Sequence, residues 1–371
     1  MAGERSLKVA IDLTQVDNQT LGSGQFRYAV DLANGLAAFA PAIHLTLIGT
    51  TAAARREFAP ALERTGRTRY VTLQRSRGVG EFYRDVLKLS TFLALNRIDV
   101  LHQLHTKVPL PKPCPVVVTG YHYHYDAPLF ESRPYRYFQW ALRRLVDRVI
   151  TLSDATRDDF QRHLGVPIHR MRTVYPGLSP SMAVSSGKRR AAPYVLSPYN
   201  LGRTKNLRSL VLAWPAIAER YPDLELVLYG RAQVTPEHET EFNALLGATA
   251  HATRIRQTGD VGDAELADLF AGCALFVFPT TVEGFGYPLL EAMHHGACCI
   301  TRNASAMKEL GAEAVCLVET LNPDEIAEAA IALLRDPQRR AELGARAAKR
   351  ARGFTIEEMV EKTVECYQSV M

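Results

Sequence analysis

The sequence has no run of about 18 apolar residues, the length a helix needs to cross a bilayer, so contact with a membrane is expected to be peripheral at most. Near the start, Asp12 interrupts the apolar stretch Leu7 to Leu13, which therefore reads as a buried strand and not as an export signal. A cytosolic protein is expected, peripheral at the inner face of the plasma membrane if it meets lipid at all. Cysteine is sparse and unpatterned: Cys114, Cys273, Cys298, Cys299, Cys316 and Cys366 lack metal-ligand spacing. That argues against a zinc module and predicts reduced core thiols. No basic run carries a nucleic-acid motif, so no nucleic-acid partner is expected. No Asp-x-Asp pair lies beside a glycine turn, and neither a metal nor a cofactor is expected.

What is present is a chain of 371 residues, 47% hydrophobic and 22% charged, too long for one ordinary core and suited to two domains. Charge is divided unevenly. Residues 1–185 hold 24 Lys/Arg against 15 Asp/Glu, and the remainder holds 20 against 24. A basic first half suits an anionic neighbour, such as a bilayer surface or a phosphorylated molecule, and equally a solvated face.

Short β-branched runs alternate with amphipathic segments of helix length, the pattern of parallel sheets covered on both faces. Strands are predicted at Leu7 to Leu13, His44 to Gly49, Arg69 to Leu73, Asp99 to Leu104, Pro115 to Thr119, Arg148 to Ser153 and Met171 to Val174. The polar stretch Ser179 to Ala192 has no periodicity and reads as a linker. Strands resume at Tyr194 to Ser197, Leu224 to Tyr229, Arg254 to Thr258, Ala274 to Pro279, Cys298 to Thr301 and Ala314 to Val318. After Pro323 the pattern is helical, with breaks at Pro337 and Gly353. The expected fold is α/β: two doubly wound parallel-sheet, Rossmann-like domains, residues 1–180 and 193–352, facing across a cleft at the carboxyl ends of their strands. Residues 353–371 form a last helix expected to pack back on the first domain.

The most informative segment is Glu283-Gly284-Phe285-Gly286-Tyr287-Pro288-Leu289-Leu290-Glu291, running from a buried strand through a glycine loop into a helix. Pro288 suits the first helical turn, where its missing N–H costs nothing. Gly284 and Gly286 let the backbone approach an anion and point amides at it, aided by the helix dipole. Glu291 can lean back toward the helix start to accept hydrogen bonds from hydroxyls.

The Glu-Gly-Phe-Gly-x-Pro-x-x-Glu run resembles the two-glutamate motif of retaining GT-B glycosyltransferases of the family-4 type, the glycosyl transferases group 1. The resemblance implies that Glu291 binds the ribose and Glu283 the transferred sugar of a nucleotide-sugar donor, with the amides of Gly284 to Gly286 near sugar and diphosphate. Phe285, Tyr287 and Pro288 belong to the same donor loop. Arg203 and Lys205, before a predicted helix, look like the family's phosphate clamp at an altered spacing; a solvated basic turn is the plain alternative. Gly259-Asp260-Val261 resembles the loop that receives the nucleobase, and Arg231 after Tyr229-Gly230 either joins the phosphate site or is a surface arginine. In the first half, Gly22-Ser23-Gly24 stands where the family has a glycine loop facing the diphosphate, with Gly24 expected to close over phosphate or sugar. The third glycine of a dinucleotide fingerprint and the ribose-binding acid are missing, which counts against a nicotinamide enzyme.

Tyr121-His122-Tyr123-His124-Tyr125-Asp126 departs from the family's simpler Thr-x-His-Asp. Extended, it puts both histidines on one face, where His122, preferred, or His124 could donate to the sugar or the leaving oxygen. A His-x-His metal site lacks further ligands at helpful spacing. His102 and His105 could line an acceptor pocket; ordinary half-buried histidines are the plainer reading.

Catalysis in such a site requires donors to the leaving diphosphate and positioning of the anomeric carbon. The expected roles fall to His122, His124, Glu283, Lys205 and Arg203, in a retaining, metal-independent transfer of a hexose, mannose from a guanosine donor being the guess, to a glycan or lipid-linked saccharide. Arginines and aromatics in Arg133-Pro134-Tyr135-Arg136-Tyr137-Phe138-Gln139-Trp140 suit rest on anionic lipid, or a buried helix with an exposed face. The rival functions are a nucleotide-sugar epimerase of the same fold and a non-catalytic nucleotide-sugar binding subunit.

Overall fold

A computed structural model describes residues 6–14, 24–51, 55–74, 76, 80–104, 108–121, 133–178, 185–187, 190, 192–231 and 234–371. The chain divides into two compact units, Met1–Ser179 with Phe354–Met371, and Pro180–Gly353.

The first unit contains β1 (Leu7–Asp12), α1 (Gly24–Phe39), β2 (Ile43–Gly49), α2 (Ala59–Thr65), β3 (Thr68–Thr72), α3 (Glu81–Leu95), β4 (Val100–Gln103), β5 (Val116–Gly120), α4 (Arg133–Arg144), β6 (Arg148–Thr151), α5 (Asp154–Leu164) and β7 (Met171–Thr173). Its strands form one seven-stranded parallel sheet in the order β3-β2-β1-β4-β5-β6-β7. Central strands are covered on both faces and so are apolar throughout: every residue of β5, with its Val116-Val117-Val118 run, is buried. Asp99, expected inside β4, precedes it because its carboxylate accepts from the Lys8 backbone N–H at 2.8 Å. Ser153 starts α5 by accepting from the Thr156 N–H, and left-handed Gly165 ends it.

The second unit contains β8 (Tyr194–Pro198), α6 (Leu207–Arg220), β9 (Glu225–Tyr229), α7 (Pro236–Ala248), β10 (Ile255–Gly259), α8 (Asp263–Gly272), β11 (Leu275–Phe278), α9 (Tyr287–His294), β12 (Cys299–Arg302), α10 (Ser305–Gly311), β13 (Cys316–Val318), α11 (Pro323–Arg335) and α12 (Pro337–Ala351). Its six-stranded parallel sheet has the order β10-β9-β8-β11-β12-β13, packed around fully buried Trp214, Leu228 and Val277. The strand β11 stops at Phe278, one residue before the predicted end, since Pro279 has no N–H to give a ladder.

The last helix, α13 (Ile356–Gln368), belongs to the first unit. Thr355 caps it, and the Leu178 N–H donates to the Phe354 carbonyl at 3.0 Å. A Cβ on Gly35 of α1 would lie 2.5 Å from Ile356 Cγ2, so glycine is what lets these helices approach. The buried Tyr367 hydroxyl of α13 lies 2.7 Å from His102 Nδ1 on β4, while His102 Nε2 lies 2.7 Å from Thr119 Oγ1 on β5. No helix among the described residues is long and apolar enough to cross a membrane.

Candidate active site

Parallel strands β8 and β11 are neighbours, with Leu275 opposite Val195 and Phe276 opposite Leu196, so the loops leaving their carboxyl ends emerge side by side. This is the switch point of the sheet, because the chain leaves β8 toward β9 on one side and reaches β11 on the other. The β8 loop ends in a single 3-10 turn, Arg203–Lys205, before α6. The β11 loop runs from Pro279 to Gly286 before α9.

The loops are tied together. The Thr281 N–H donates to the Thr204 carbonyl at 2.7 Å, with Thr280 Oγ1 2.9 Å from the same carbonyl and 3.1 Å from Glu283 Oε1. Lys205 Nζ forms an ion pair with Glu283 Oε1 and lies 5.8 Å from the centre of the Phe278 ring. Arg302 Nη1, on β12, donates to the Thr281 carbonyl at 3.0 Å and braces the loop from the other side. Glu283 keeps 13% of its side-chain surface and Lys205 26%, so the pair is shielded but reachable.

Gly286 caps α9 with φ +102°, and a Cβ there would meet Met307 Cε at 2.1 Å. The backbone angle calls for glycine, while Met307 Cε is the end of a flexible side chain that would have to turn aside. Gly286 places no side-chain acceptor on the first turn of α9; its carbonyl accepts from the Leu289 and Leu290 N–H groups at 3.0 and 3.1 Å, and the second helical position, Pro288, has no N–H. The helix start combines amide groups with the positive dipole end, an arrangement that favours anions. Glu291, one turn along α9, is only 4% exposed, which requires hydrogen-bonding partners for its carboxylate. Phe285 and Tyr287 are buried edge to face at 5.7 Å, so what they offer a ligand is backbone.

The other predicted residues fall elsewhere. Arg203 is exposed and lines a groove of about 270 Å³ with Leu201, Asn206, Arg208, His238 and Phe242, apart from the Lys205–Glu283 pair. Arg231, after β9, pairs with Asp260, after β10, at 2.8 Å, both well exposed, and the Gly230 N–H donates to the Gly259 carbonyl at 2.9 Å. Val261 follows that pair, half-buried. Gly24 opens α1 in the first unit and is exposed. Both His122 and His124, and His105, lie outside the described residues. His102 is fully buried, its pKa pushed down to about 3 by burial, and works inside the core. Sequence reading missed Thr280 and Thr204 as the joint between the two motifs; a buried threonine at a strand end beside a glycine loop was the available signal.

Two family models match the chain: Glycosyltransferase Family 4 over residues 22–181 and Glycosyl transferases group 1 over residues 181–350. Among curated proteins, O-antigen chain mannosyltransferase B of Escherichia coli is 27% identical over 70% of this chain and 72% of its own length. Phosphatidyl-myo-inositol mannosyltransferase of Mycolicibacterium smegmatis is 29% identical over 45% of this chain and 42% of its own. Among solved structures, Anabaena HepE in complex with UDP-glucose superposes with a TM-score of 0.79 at 16% identity, over 98% of this chain and 100% of that one. WaaG, a glycosyltransferase involved in lipopolysaccharide biosynthesis, gives 0.72 at 15% identity over 98% and 99%. Two parallel-sheet units matched along nearly their whole length by GT-B proteins, and both family models, make this chain a member of the group 1 glycosyltransferases and an enzyme of that class.

Proposed function

We propose that the second unit binds a nucleoside diphosphate hexose and that the enzyme transfers the hexose, mannose from a guanosine donor, to a hydroxyl of a glycan or lipid-linked saccharide. The observation that carries this reading is the joining of Lys205, Thr280 and Glu283 beside the glycine-capped start of α9. Lys205 and the amides at Gly284 to Gly286 meet the charge that grows on the leaving diphosphate, the term that dominates such catalysis. Glu283 receives hydroxyls of the sugar and Glu291 those of the ribose. The choice of mannose is supported by mannosyltransferases among the relatives.

Configuration at the anomeric carbon is proposed to be retained. The acceptor oxygen attacks from the side of the leaving group, the anomeric carbon–oxygen bond to the diphosphate breaks, and the acceptor proton passes to a diphosphate oxygen. With cationic and amide donors in place, turnover is proposed to need no divalent metal and should persist in excess chelator.

The test is thermal-shift binding of guanosine and uridine diphosphates and their sugars, comparing wild type with Glu291→Ala and Lys205→Ala. A selective rise with one nucleotide, reduced in both variants, is expected. No response to any nucleotide would overturn the donor assignment. Proton NMR of the first product then reads the anomeric configuration.

A further inference from the structure

Large apolar side chains stand in solvent on two helices of the first unit. Tyr83, Leu87 and Leu95 of α3 are 73%, 56% and 79% exposed, and Trp140 of α4 is 47% exposed. The other tryptophan, Trp214, is fully buried, which is where such a ring ordinarily goes. The two exposed rings are joined through half-buried ones: Tyr83 packs on Phe82 at 5.7 Å, Phe82 on Tyr137 at 5.2 Å, and Tyr137 on Trp140 at 5.9 Å. The row is fixed in place by the Tyr137 hydroxyl, which donates to the Val108 carbonyl at 2.6 Å.

Exposed cations accompany the row. Arg84 and Lys88 sit one position beyond Tyr83 and Leu87 on α3, and Arg136, Arg143 and Arg144 flank Trp140 on α4. Lys88 donates to a neutral partner, the Gln74 carbonyl, at 3.3 Å. Exposed Glu81, at the start of α3, and half-buried Asp85, which accepts from the Ser76 N–H, are the acids nearby on that helix. The opposite sides of both helices, through Leu89, Leu93, Phe138 and Leu142, fill the core under the sheet.

We infer that the paired outer faces of α3 and α4 form a docking surface for an anionic lipid bilayer, with Tyr83, Leu87 and Trp140 entering the headgroup boundary and Lys88, Arg136 and Arg144 meeting the phosphates. A contiguous apolar row on a soluble face marks an interaction site. Its partner is identified by the mixture: aromatic and aliphatic tips between long cations are the composition of interfacial helices, while the core of a protein interface is depleted of charge. The surplus of 24 Lys/Arg over 15 Asp/Glu in residues 1–185 adds long-range attraction of the same sign. The inference deepens the proposed use of a lipid-linked acceptor, yet binding to the bilayer needs no turnover.

The experiment is co-sedimentation of the full chain with phosphatidylcholine vesicles, with and without phosphatidylglycerol, at low and high salt. Wild type is expected to bind the anionic vesicles at least about tenfold better, and less well in high salt. The combined Tyr83→Ser, Leu87→Ser, Trp140→Ser variant is expected to lose at least about tenfold, and each of Lys88→Gln, Arg136→Gln and Arg144→Gln about fivefold, or about 1 kcal/mol. Arg339→Gln with Lys349→Gln, removing exposed cations of α12, is the control expected to bind as wild type. The inference is overturned if wild type ignores phosphatidylglycerol, or if the α3 and α4 variants bind undiminished. It is also overturned if sedimentation velocity without lipid shows a dimer that the triple apolar variant dissolves. Nucleotide binding in the same preparations reports on the donor reading separately, and circular dichroism with urea unfolding confirms that each variant is folded.

Discussion

Lys205 and Glu283, 78 residues apart in the chain, are each other's counter-ions at the carboxyl ends of neighbouring strands. In the donor reading proposed above, a diphosphate reaching Lys205 would compete with Glu283 for the ammonium and, on winning, would leave that carboxylate to accept from sugar hydroxyls. The two residues therefore respond differently to substitution. Glu283→Gln is expected to bind the nucleoside diphosphate a few-fold more tightly, its competitor gone, while turnover of the nucleotide sugar falls about 100-fold. Lys205→Ala should weaken both, because it removes the cation and leaves a shielded carboxylate unpaired. Calorimetry of the diphosphate alone against steady-state transfer separates the two patterns; equal weakening of diphosphate binding in both variants would sink the exchange.

Gly286→Ala tests the loop geometry. Alanine is strained at φ +102°, and its methyl meets Met307 at 2.1 Å, so either the side chain of Met307 or the start of α9 must move. Urea unfolding is expected to show a loss of about 1–3 kcal/mol. Adding Met307→Ala relieves the clash but not the backbone, so, measured against Met307→Ala alone to cancel the cavity left at that fully buried position, about half the loss should remain. Full recovery in the double variant would show that the backbone angle is not the constraint.

Much of this was legible in the sequence because parallel strands buried on both faces must be short apolar runs, as at Val116 to Val118 and Leu275 to Phe278. Strand ends were less so: Asp99 and Pro279 look like strand residues until the hydrogen bond one accepts and the donor the other lacks are counted. The glycine loop was readable from local chemistry alone. The Lys205–Glu283 pair was not, since it depends on β8 and β11 being neighbours, a crossover that no local pattern encodes. Arg203 was grouped with Lys205 by resemblance to the family's phosphate clamp, but residues two apart in a 3-10 turn are rotated by about 240°, and the groove that Arg203 lines does not include Lys205. The exposed row on α3 was hidden for a different reason: Tyr83, Leu87 and Leu95 recur at helical spacing like any core stripe, and only the packed structure shows which stripe faces out.

Gly35, at the junction of α1 and α13, and Gly247, in α7, make an opposite pair of glycine predictions. Gly35→Ala puts a methyl 2.5 Å from Ile356 and 2.8 Å from Val360, an overpacking expected to cost about 1–3 kcal/mol. Gly247, in α7, has nothing within 4 Å of its would-be Cβ, and Gly247→Ala should stabilise by up to about 1 kcal/mol through helix propensity. Both are read by chemical denaturation, and a stabilising Gly35→Ala would mean that α13 packs less closely on α1 than described.

His102 sets a pH limit on the first unit. Its ring is enclosed between the Tyr367 and Thr119 hydroxyls, and burial lowers its pKa from 6.5 to about 3. A neutral ring has one proton, so one hydroxyl donates to it and the other accepts from it; a protonated ring donates at both nitrogens, and its charge is left in the core. Between pH 6.5 and about 3 the unfolded chain binds a proton here that the folded one does not. The stabilisation is therefore complete above about pH 6.5 and declines with falling pH, by at most about 1.4 kcal/mol per unit. His295, lowered to about 4 chiefly by burial and then by His294, adds a decline of the same sign in the second unit. His102→Gln, which keeps a hydrogen-bonding side chain without a titrating one, is expected to be less stable than wild type at pH 7 but to lose less on going to pH 5. Urea titrations of both proteins at the two pH values decide it: parallel losses would place the acid sensitivity outside the His102–Tyr367 contact and leave that histidine a packing residue only.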